Sequence, residues 1–544
     1  MRLPTSRSYR RLMRIRADGD PPAGASLPTG RAVAGSNPFS RRVIRTVRND
    51  VWPLAALAGV VLGVLLAFSG RYGFHRDEFY IRESGRHLAW GFPDHPPLSP
   101  LLARIADELA PGSLLALRVP AALGAAVTVV LVGLIAREFG GDRRAQFLAS
   151  AIAASSILVL ASGHILATAS LDVAFATTLV FLVARLLRTG DQRLWVVAGI
   201  ALGVGLLNRV FLALYAIIVL AALASVGPRE LLRGKWLPIG VLVALVIAAP
   251  TVLWQARNGW PQWEMATAIS ADNSRWELVA YQFVIIGPLL LPVWIAGLWW
   301  LLKRPDLRCF GVAYLALLGL LMVTSGQQHY LFAAYPPLLA AGGIAAAQWC
   351  TTGAQRIRAT VSAMVVATSA AIAAVFALPV LPVSVLADTP LVDLNGEIGE
   401  QIGWPEMGRT VAEVLDRLPA EMRAETVVMA DNYGQAGAVA EFGPDFIASG
   451  TAFPPVHSGH QAYAWWGPPP QKYRTVVVLG TDAPSQAPSW AVRACGRLTE
   501  VATVGNDDDI ENQENGTRIF LCRDLTTSWH DLWPQIRRIG PANP

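Results

Sequence analysis

The residues best suited to chemistry lie in one short segment that follows the first apolar stretch. Between Arg71 and Pro97 the sequence reads RYGFHRDEFYIRESGRHLAWGFPDHPP, with four acids among four Arg and three His. A positioned carboxylate can act as a general base, and guanidinium groups bind phosphate oxygens in pairs. The segment therefore indicates proton transfer beside a phosphate group.

Helical spacing distinguishes the two adjacent acids of this segment. If residues 74–90 form a helix, Glu78 shares one stripe with Arg82 and Arg86. Asp77 then has no local partner, and a carboxylate held over an apolar floor is a stronger base. The donors predicted for a phosphate are Arg76, Arg82 and His95. The alternative is an amphipathic interfacial helix whose charges face water.

Further polar residues stand at the ends of apolar segments. Asp172 lies in HILATASLDVAFATTLVFL, and acids so close to hydrocarbon are usually functional or paired; the alternative is a helix cap or first-turn acid. Arg209 interrupts an apolar stretch, either as a second phosphate contact or as a snorkelling side chain. His329 and Tyr330 in SGQQHYLFAAYPPLLA complete the set, and all are predicted to lie on one side of a membrane.

The composition of the chain indicates a membrane protein, so the polar residues above are held by helices that cross a bilayer. Hydrophobic residues make up 53% and charged residues 15% of 544 residues, and the mean hydropathy is +0.40. Soluble chains contain about 25% charged residues. A soluble enzyme, a disordered scaffold and a nucleic-acid binder are therefore excluded as descriptions of the whole chain, despite its net charge of +6.

The apolar runs predict a polytopic α-helical membrane protein with about eleven spans. The arginine-rich arm of residues 1–50 is expected to be disordered and cytoplasmic. The pair 194–207 and 210–226 could instead be one broken helix or a re-entrant turn. The predicted spans are 51–69, 113–135, 146–163, 171–187, 194–207, 210–226, 236–254, 279–302, 309–324, 330–350 and 359–381.

Charge in the short loops predicts the orientation. With the arm inside, the inner loops carry 14 Lys or Arg and the outer loops carry eight Arg, as the positive-inside rule expects. The transmembrane domain is assigned to residues 51–382, and its first outer loop, residues 70–112, contains the candidate base. We expect a plasma (inner) membrane protein with its amino terminus in the cytoplasm and its carboxyl-terminal domain outside.

Residues 383–544 predict a small extracytoplasmic α/β domain. Thr426–Ala430, Thr475–Leu479 and Arg518–Leu521 are typical of short buried strands, and Pro405–Arg417 and Gln435–Phe442 of helices. An exported domain lets a disulfide persist. Cys495 and Cys522 are accordingly candidates for a disulfide, with two buried thiols as the alternative.

The sequence also bears on functions other than proton transfer beside a phosphate, namely nucleotide or metal chemistry, transport and anchoring. Walker loops, GxGxxG turns, HExxH and zinc-type Cys pairs are missing from the sequence. A lipid-linked sugar flippase or transporter would place ionisable residues near span centres and show an inverted repeat, which the sequence does not. A non-catalytic anchor would bind ligand in a crevice at Asp431–Tyr433, although Asp431 or Asn432 could simply cap the next helix.

The arrangement of these motifs resembles a known family. It consists of one span, an outer loop with the Asp77–Glu78 pair, then Asp94 and His95 before two prolines, and Asp172 opening the fourth span. This pattern resembles the polyprenyl-phosphate-sugar glycosyltransferases, which include protein mannosyltransferases and the aminoarabinose lipid A transferases. The likeness covers about residues 50–350. GWPEMGRTVAEV and DNYGQAGAVAEFG are similar to the outer domain of a bacterial subset.

The resemblance implies a C-type glycosyltransferase fold and inverting transfer from a polyprenyl-phosphate sugar to a hydroxyl of a lipid, protein or glycan. It assigns Asp77 as the base, with Glu78 and Asp172 shaping the site or holding a cation. His95 stands where the lipid A enzymes have a phosphate-contacting lysine, and neutral imidazole supplies less charge. Metal use stays open, because several acids could bind a divalent cation but no ligand spacing demands one.

Overall fold

The chain folds into a helical membrane region followed by a small α/β domain. The computed structural model describes residues 38–272, 275–480, 486–506, 510 and 512–540, and residues 50–544 form one compact unit. Of the predicted arm, residues 1–37 lie outside the described residues. The helices of the membrane region are α1 (Pro38–Phe68), α2 (Arg76–Arg86), α3 (Leu98–Leu109), α4 (Leu114–Glu138), α5 (Arg143–Ala154), α6 (Ile157–His164), α7 (Thr168–Thr189), α8 (Leu194–Leu206), α9 (Phe211–Val226), α10 (Trp236–Arg257), α11 (Pro261–Asp272), α12 (Arg275–Val284), α13 (Leu291–Leu302), α14 (Arg308–Thr324), α15 (Tyr335–Cys350) and α16 (Gln355–Ala377).

The predicted spans correspond to these helices with two differences. Among the described residues, six helices are long and apolar enough to cross a membrane, or up to eight if each bent pair counts as one span. The segments 146–163 and 279–302 were expected to be continuous, which is wrong: α5 and α6 are bent by 55° and α12 and the segment 288–302 by 84°. In the second pair Pro288 and Pro292 follow Gly287, whose φ is 110°, so the helix cannot continue.

The predicted broken pair is two separate helices. α8 and α9 are 13 and 16 residues long, and together with α14 they form a set of shorter apolar helices. They are separated at Asn208 and Arg209, where Asn208 Nδ2 donates to the Thr168 carbonyl at 2.7 Å and Ser99 Oγ donates to Asn208 Oδ1 at 2.8 Å. The break is therefore a hydrogen-bonded junction that places Arg209 at a helix end.

The first outer loop contains two helices, α2 and α3. α2 begins with a capping box in which the N-cap residue His75 accepts from the Asp77 amide and Glu78 accepts from the His75 amide. Seven of its eleven residues are buried. α2 is therefore an interior element, and the alternative of an interfacial helix whose charges face water is wrong.

The carboxyl-terminal domain is a five-stranded sheet with helices on both faces. The strands are β1 (Thr426–Ala430), β2 (Val456–Ser458), β3 (Thr475–Leu479), β4 (Cys495–Thr503) and β5 (Arg518–Leu525), in the order β2-β1-β3-β5-β4. β1 is parallel to β2 and β3, whereas β5 is antiparallel to β3 and β4. The helices are α17 (Val383–Leu386), α18 (Leu391–Leu394), α19 (Trp404–Asp416), α20 (Ala420–Ala424), α21 (Tyr433–Phe446), α22 (Tyr463–Trp466), α23 (Ser489–Ala494) and α24 (Trp529–Ile536).

The three predicted strands and both predicted helices are present, and β2 and β4 are additional. Cys495 and Cys522, on the neighbouring strands β4 and β5, are joined in a disulfide with a Cα–Cα distance of 5.5 Å. Asn432 caps α21 by accepting from the Gln435 amide at 2.9 Å, and Asp431 pairs with Arg538. The residues proposed for a ligand crevice in this domain are thus engaged within the protein.

The first outer loop and the carboxyl-terminal domain share one hydrophobic core. Phe74, Phe79 and Tyr80 of the loop belong to the same buried cluster as Trp404 and Val428. The Phe79 ring meets that of Trp404 edge to face with centroids 5.5 Å apart. The carboxyl end of β1 and the start of α21 consequently lie against α2.

Candidate active site

A large cavity lies between α2, the membrane helices and the carboxyl-terminal domain. Its volume is about 1000 Å³, enough for a ligand larger than a typical small molecule, since such pockets are about 300–1,000 Å³. The polar residues that line it include Asp77, Tyr80, Asp94, His95, Thr168, Asn208, Arg209, Thr251, Gln255, His329, Tyr330 and Tyr433. Six of the predicted site residues therefore share one cavity.

Asp77 is the carboxylate at the start of α2. Its Oδ1 accepts a hydrogen bond of 2.8 Å from the Tyr433 hydroxyl. In the described part of the chain, no hydrogen bond reaches Oδ2. Asp77 thus has one oxygen held by the protein and a second that is available to a ligand.

Asp94 and His95 form a second polar group beside Asp77. Asp94 Oδ1 accepts from the Tyr80 hydroxyl at 2.6 Å, and burial raises the pKa of its carboxyl against the lowering effect of His95. His95 is buried, and its Nδ1 donates to the Pro96 carbonyl at 3.1 Å. Its Nε2 lies 3.5 Å from Ser84 Oγ and the residue lines the cavity, so the contact of His95 with a phosphate stays a prediction.

Arg209 carries the positive charge of the cavity wall. Its guanidinium donates to His329 Nε2 and lies over the Tyr330 ring at 5.1 Å. Within the described residues no carboxylate lies within 4 Å of Arg209. The side chain turns into the cavity and does not snorkel to the surface, so its charge can be neutralised by an anionic ligand.

Asp172 lies in the second turn of α7, which contradicts the reading of a helix cap or first-turn acid. The capping role is taken by Ser170, whose hydroxyl accepts from the Ala167 amide at 3.0 Å. Asp172 is 5% exposed and its Oδ1 is buried without a hydrogen-bond partner, and Arg209 is the charged group that acts on it. It lies outside the cavity lining but close enough to Arg209 for the two charges to interact.

Glu78 has a structural partner that its helical stripe did not predict. Arg82 and Arg86 were predicted to be its local partners, which is wrong. Glu78 instead forms a buried bidentate pair with Arg118, with N–O distances of 2.7 and 2.9 Å. The amides of His75 and Leu166 donate to the same carboxylate. Four donors satisfy both oxygens, so Glu78 has no capacity left for the cation predicted there.

Two of the predicted phosphate donors point away from the cavity. Arg82 is buried between Asp107 at 2.8 Å and Glu441 at 3.0 Å. Arg76 contacts Glu400 at 3.5 Å and stacks on the Tyr433 ring at 5.2 Å. Both guanidinium groups connect α2 to the carboxyl-terminal domain or to α3, and neither is available to a phosphate in the cavity.

No group of three or more His, Cys, Asp or Glu in the described residues is arranged to hold a metal ion. The acids of the site are distributed instead among separate partners: Asp77 with Tyr433, Asp94 with Tyr80 and Glu78 with Arg118. Among the described residues the site supplies one partly free carboxylate, on Asp77, and one guanidinium without a carboxylate within 4 Å, on Arg209, in a common cavity.

Sequence reasoning missed Tyr80 and Gln255 as site residues, and it named Tyr433 only as part of a possible ligand crevice of the carboxyl-terminal domain. Gln255 closes the cavity by donating to the Phe92 carbonyl at 2.9 Å and accepting from the Gln262 amide at 3.2 Å. The position of Tyr433 in the sequence did point to a site. It comes shortly after the buried strand β1 and directly after the N-cap residue of α21, and ligand-binding residues of α/β domains concentrate at such strand ends. The position of the Tyr433 hydroxyl depends on contacts that no local pattern contains.

The chain is similar to known proteins in part of its sequence and in its fold. Residues 94–254 match the family described as dolichyl-phosphate-mannose-protein mannosyltransferase. ArnT from Cupriavidus metallidurans in the apo state is similar in structure, with a TM-score of 0.57 and 15% identity over 88% of this chain and 98% of that one. ArnT bound to undecaprenyl phosphate gives 0.53 and 15% over 86% and 97%. No curated protein sequence matches the chain.

The structural matches and the family match concern different features of the chain, the first the fold and the second a stretch of sequence. At 15% identity the likeness to ArnT establishes the fold, and it extends over the membrane helices and the carboxyl-terminal domain. The family match includes Asp94, His95, Asp172 and Arg209, and so covers part of the cavity wall. The resemblance to polyprenyl-phosphate-sugar-dependent glycosyltransferases is thereby supported over residues 94–254, and the chain is a polytopic helical membrane protein with the C-type fold.

Proposed function

We propose that this enzyme transfers a sugar from a polyprenyl-phosphate donor to an acceptor hydroxyl, with Asp77 as the general base and with inversion at the sugar carbon. The observation that carries the proposal is that Asp77 and Arg209 line the same cavity. Among the described residues, Asp77 has a carboxylate oxygen that accepts no hydrogen bond from the protein, and Arg209 has a guanidinium with no carboxylate within 4 Å.

The donor end of the cavity is assigned to the wall around Arg209. Phe211, Leu214, Leu320 and Leu321 give this wall an apolar surface suited to a prenyl chain, and a guanidinium binds phosphate oxygens in pairs. The structurally similar ArnT is known bound to undecaprenyl phosphate. His329 and Tyr330 hold the guanidinium in place through the ring contacts described above.

The proposed reaction is a single displacement. Asp77 Oδ2 accepts the proton of the acceptor hydroxyl as the acceptor oxygen bonds to the anomeric carbon. The bond from that carbon to the phosphate oxygen breaks on the opposite face, and the lipid phosphate leaves with its electron pair and is stabilised by Arg209. One displacement inverts the anomeric configuration, as the opposed faces require.

The reaction is assigned to the outer face of the plasma (inner) membrane. This assignment rests on the loop charges and on a cytoplasmic amino terminus. A lipid-linked donor suits that side, because the activated sugar arrives already attached to a membrane carrier. The acceptor is a hydroxyl of a lipid, a protein or a glycan.

Asp77→Asn tests the base assignment. The amide keeps an oxygen for the Tyr433 hydroxyl but cannot take up a proton, so transfer should fall by roughly 10²–10⁴-fold, the usual contribution of general base catalysis. The measurement is transfer of labelled sugar from a panel of synthetic polyprenyl-phosphate sugars to membrane extracts, using purified protein in detergent.

Glu83→Gln is the matched control for this experiment. Glu83 lies on the same helix, where it pairs with Arg86 at 3.1 Å outside the cavity, so its loss should leave transfer near the wild-type rate. Full activity of Asp77→Asn would reject the base assignment. Transfer by the wild type from none of the lipid-phosphate donors would reject the donor class.

A further inference from the structure

We propose that Tyr433 of the carboxyl-terminal domain is a positioning residue for Asp77, so that this domain completes the active site. The inference deepens the proposed function and rests on it. Its starting point is the 2.8 Å hydrogen bond between the Tyr433 hydroxyl and Asp77 Oδ1, which joins residues 356 positions apart. Both side chains line the cavity.

The ring of Tyr433 is held on both faces, so its hydroxyl has a defined position. Tyr80 stacks on it with centroids 4.6 Å apart and planes at 25°, and His460 stacks on it at 5.1 Å and 18°. The Arg76 guanidinium lies 5.2 Å from the same ring. Side chains locked by packing hold a neighbouring group more precisely than mobile ones.

The backbone that carries Tyr433 is fixed as well. Tyr433 is the first residue of α21, next to the cap Asn432, whose Nδ2 donates to Glu514 at 2.9 Å. Gly434 and Gly437 let α21 approach α2 closely, because an added Cβ would lie 3.1 Å from Arg76 Cβ and 2.4 Å from Phe79 Cβ. The start of α21 is therefore pressed against the helix that bears Asp77.

The contact has a direct consequence for a base. It ties Oδ1 and leaves Oδ2 as the oxygen that faces the acceptor hydroxyl. Burial and the charge of Asp77 raise the pKa of Tyr433 well above its ordinary value, although Arg76 lowers it, so the phenol keeps its proton and donates.

Tyr433→Phe tests this role, because it removes the hydroxyl and keeps the stacked ring. We expect kcat to fall roughly tenfold, the effect of one lost hydrogen bond to a charged group. The KM for the lipid-phosphate donor should be unchanged, because the phenol contacts Asp77 and not the donor wall around Arg209. Melting temperature and membrane abundance report any loss of folding.

Tyr463→Phe is the matched control. Tyr463 is another buried tyrosine of the same domain and the same buried cluster, and its ring packs on Trp466 with centroids 4.6 Å apart, outside the cavity. This variant should keep the wild-type kcat and KM. An equal fall in kcat in both variants would overturn the inference, since it would show a general effect of loosening the domain.

A second readout does not depend on turnover. Carbodiimide with an amine labels carboxyl groups, and mass spectrometry of the peptide containing Asp77 follows the rate of its labelling at one fixed pH. In Tyr433→Phe, Asp77 should be labelled faster than in the wild type, because Oδ1 has lost its hydrogen-bond partner. Identical labelling and kinetics in wild type and Tyr433→Phe would overturn the inference while leaving the proposed function intact. If no donor is turned over, the labelling alone decides the role of Tyr433.

Discussion

At the scale of single residues, the two adjacent acids of α2 have different environments. Asp77 faces the cavity with one oxygen free, whereas Glu78 is 0% exposed and bonded to Arg118 and two backbone amides. Adjacent positions on a helix point about 100° apart, so a single motif can supply a catalytic group and a structural group. The Glu78–Arg118 pair connects α2 to α4 and thereby fixes the direction in which Asp77 points.

Arg118→Met tests the structural assignment of Glu78. It leaves a buried carboxylate unpaired, which should lower the free energy of unfolding by about 3–5 kcal/mol. Adding Glu78→Gln removes the uncompensated charge and keeps one acceptor oxygen, for either the His75 or the Leu166 amide, so part of the loss should be recovered. Thermal unfolding of the purified protein measures both. A double variant as unstable as Arg118→Met alone would contradict this account.

At the scale of elements, glycine spacing decides how closely helices approach. α21 carries glycines at positions 434, 437 and 443, and α19 contributes Gly408. An added Cβ at Gly408 would lie 2.7 Å from Phe442 Cβ, so α19 packs directly on α21. The bends in the membrane helices are also local: Pro288 follows Gly287 in the 84° break between α12 and the next segment. Backbone chemistry thus sets both the close contacts and the interruptions.

Gly437→Ala tests the close contact between α21 and α2. Its Cβ would lie 2.4 Å from Phe79 Cβ, and neither atom can rotate away, so α21 must shift. Overpacking of this kind should cost about 1–3 kcal/mol and should reduce transfer by displacing Tyr433. Melting temperature and transfer rate are the measurements. Gly396→Ala is the control, because its Cβ meets no atom within 4 Å; equal behaviour of the two variants would be the contrary result.

At the scale of the whole molecule, the carboxyl-terminal domain is joined to the membrane region through a polar junction as well as a shared core. Arg76 of α2 contacts Glu400 at 3.5 Å, and Glu514 accepts from Asn432 and Gln435 at 2.9 and 2.7 Å. Burial raises the pKa of Glu400 to about 7, against the lowering effect of Arg76 and with a further rise from Glu514. The junction is therefore expected to respond to pH.

The direction of this pH dependence follows from the raised pKa. The folded state binds the Glu400 proton more tightly than the unfolded chain, whose carboxyl has its ordinary pKa of 4.5. The contribution to stability is complete below pH 4.5 and is lost as the pH rises to about 7. Glu400→Gln should flatten the fall in melting temperature over that interval. An unchanged slope would show that Glu400 does not titrate in the folded protein.

Much of the architecture could be predicted from the sequence, because its causes are local. Long runs of apolar residues determine where helices cross hydrocarbon. Short apolar runs bounded by turn residues predict the strands Thr426–Ala430 and Thr475–Leu479, and the structure has both strands with the same bounds. The pairing of Cys495 with Cys522 was open in the sequence, and adjacency of β4 and β5 decided it.

The sequence by itself determined the membrane class, the small α/β domain and the segment that carries Asp77, since each depends on composition and on spacing along one stretch of chain. Only the tertiary structure decided which partners these groups have: Arg118 for Glu78, Asp107 and Glu441 for Arg82, and Tyr433 for Asp77. The physical reason is that an ion pair or hydrogen bond requires proximity in space. Residues separated by 356 positions acquire it only when the core shared by α2 and α21 has packed.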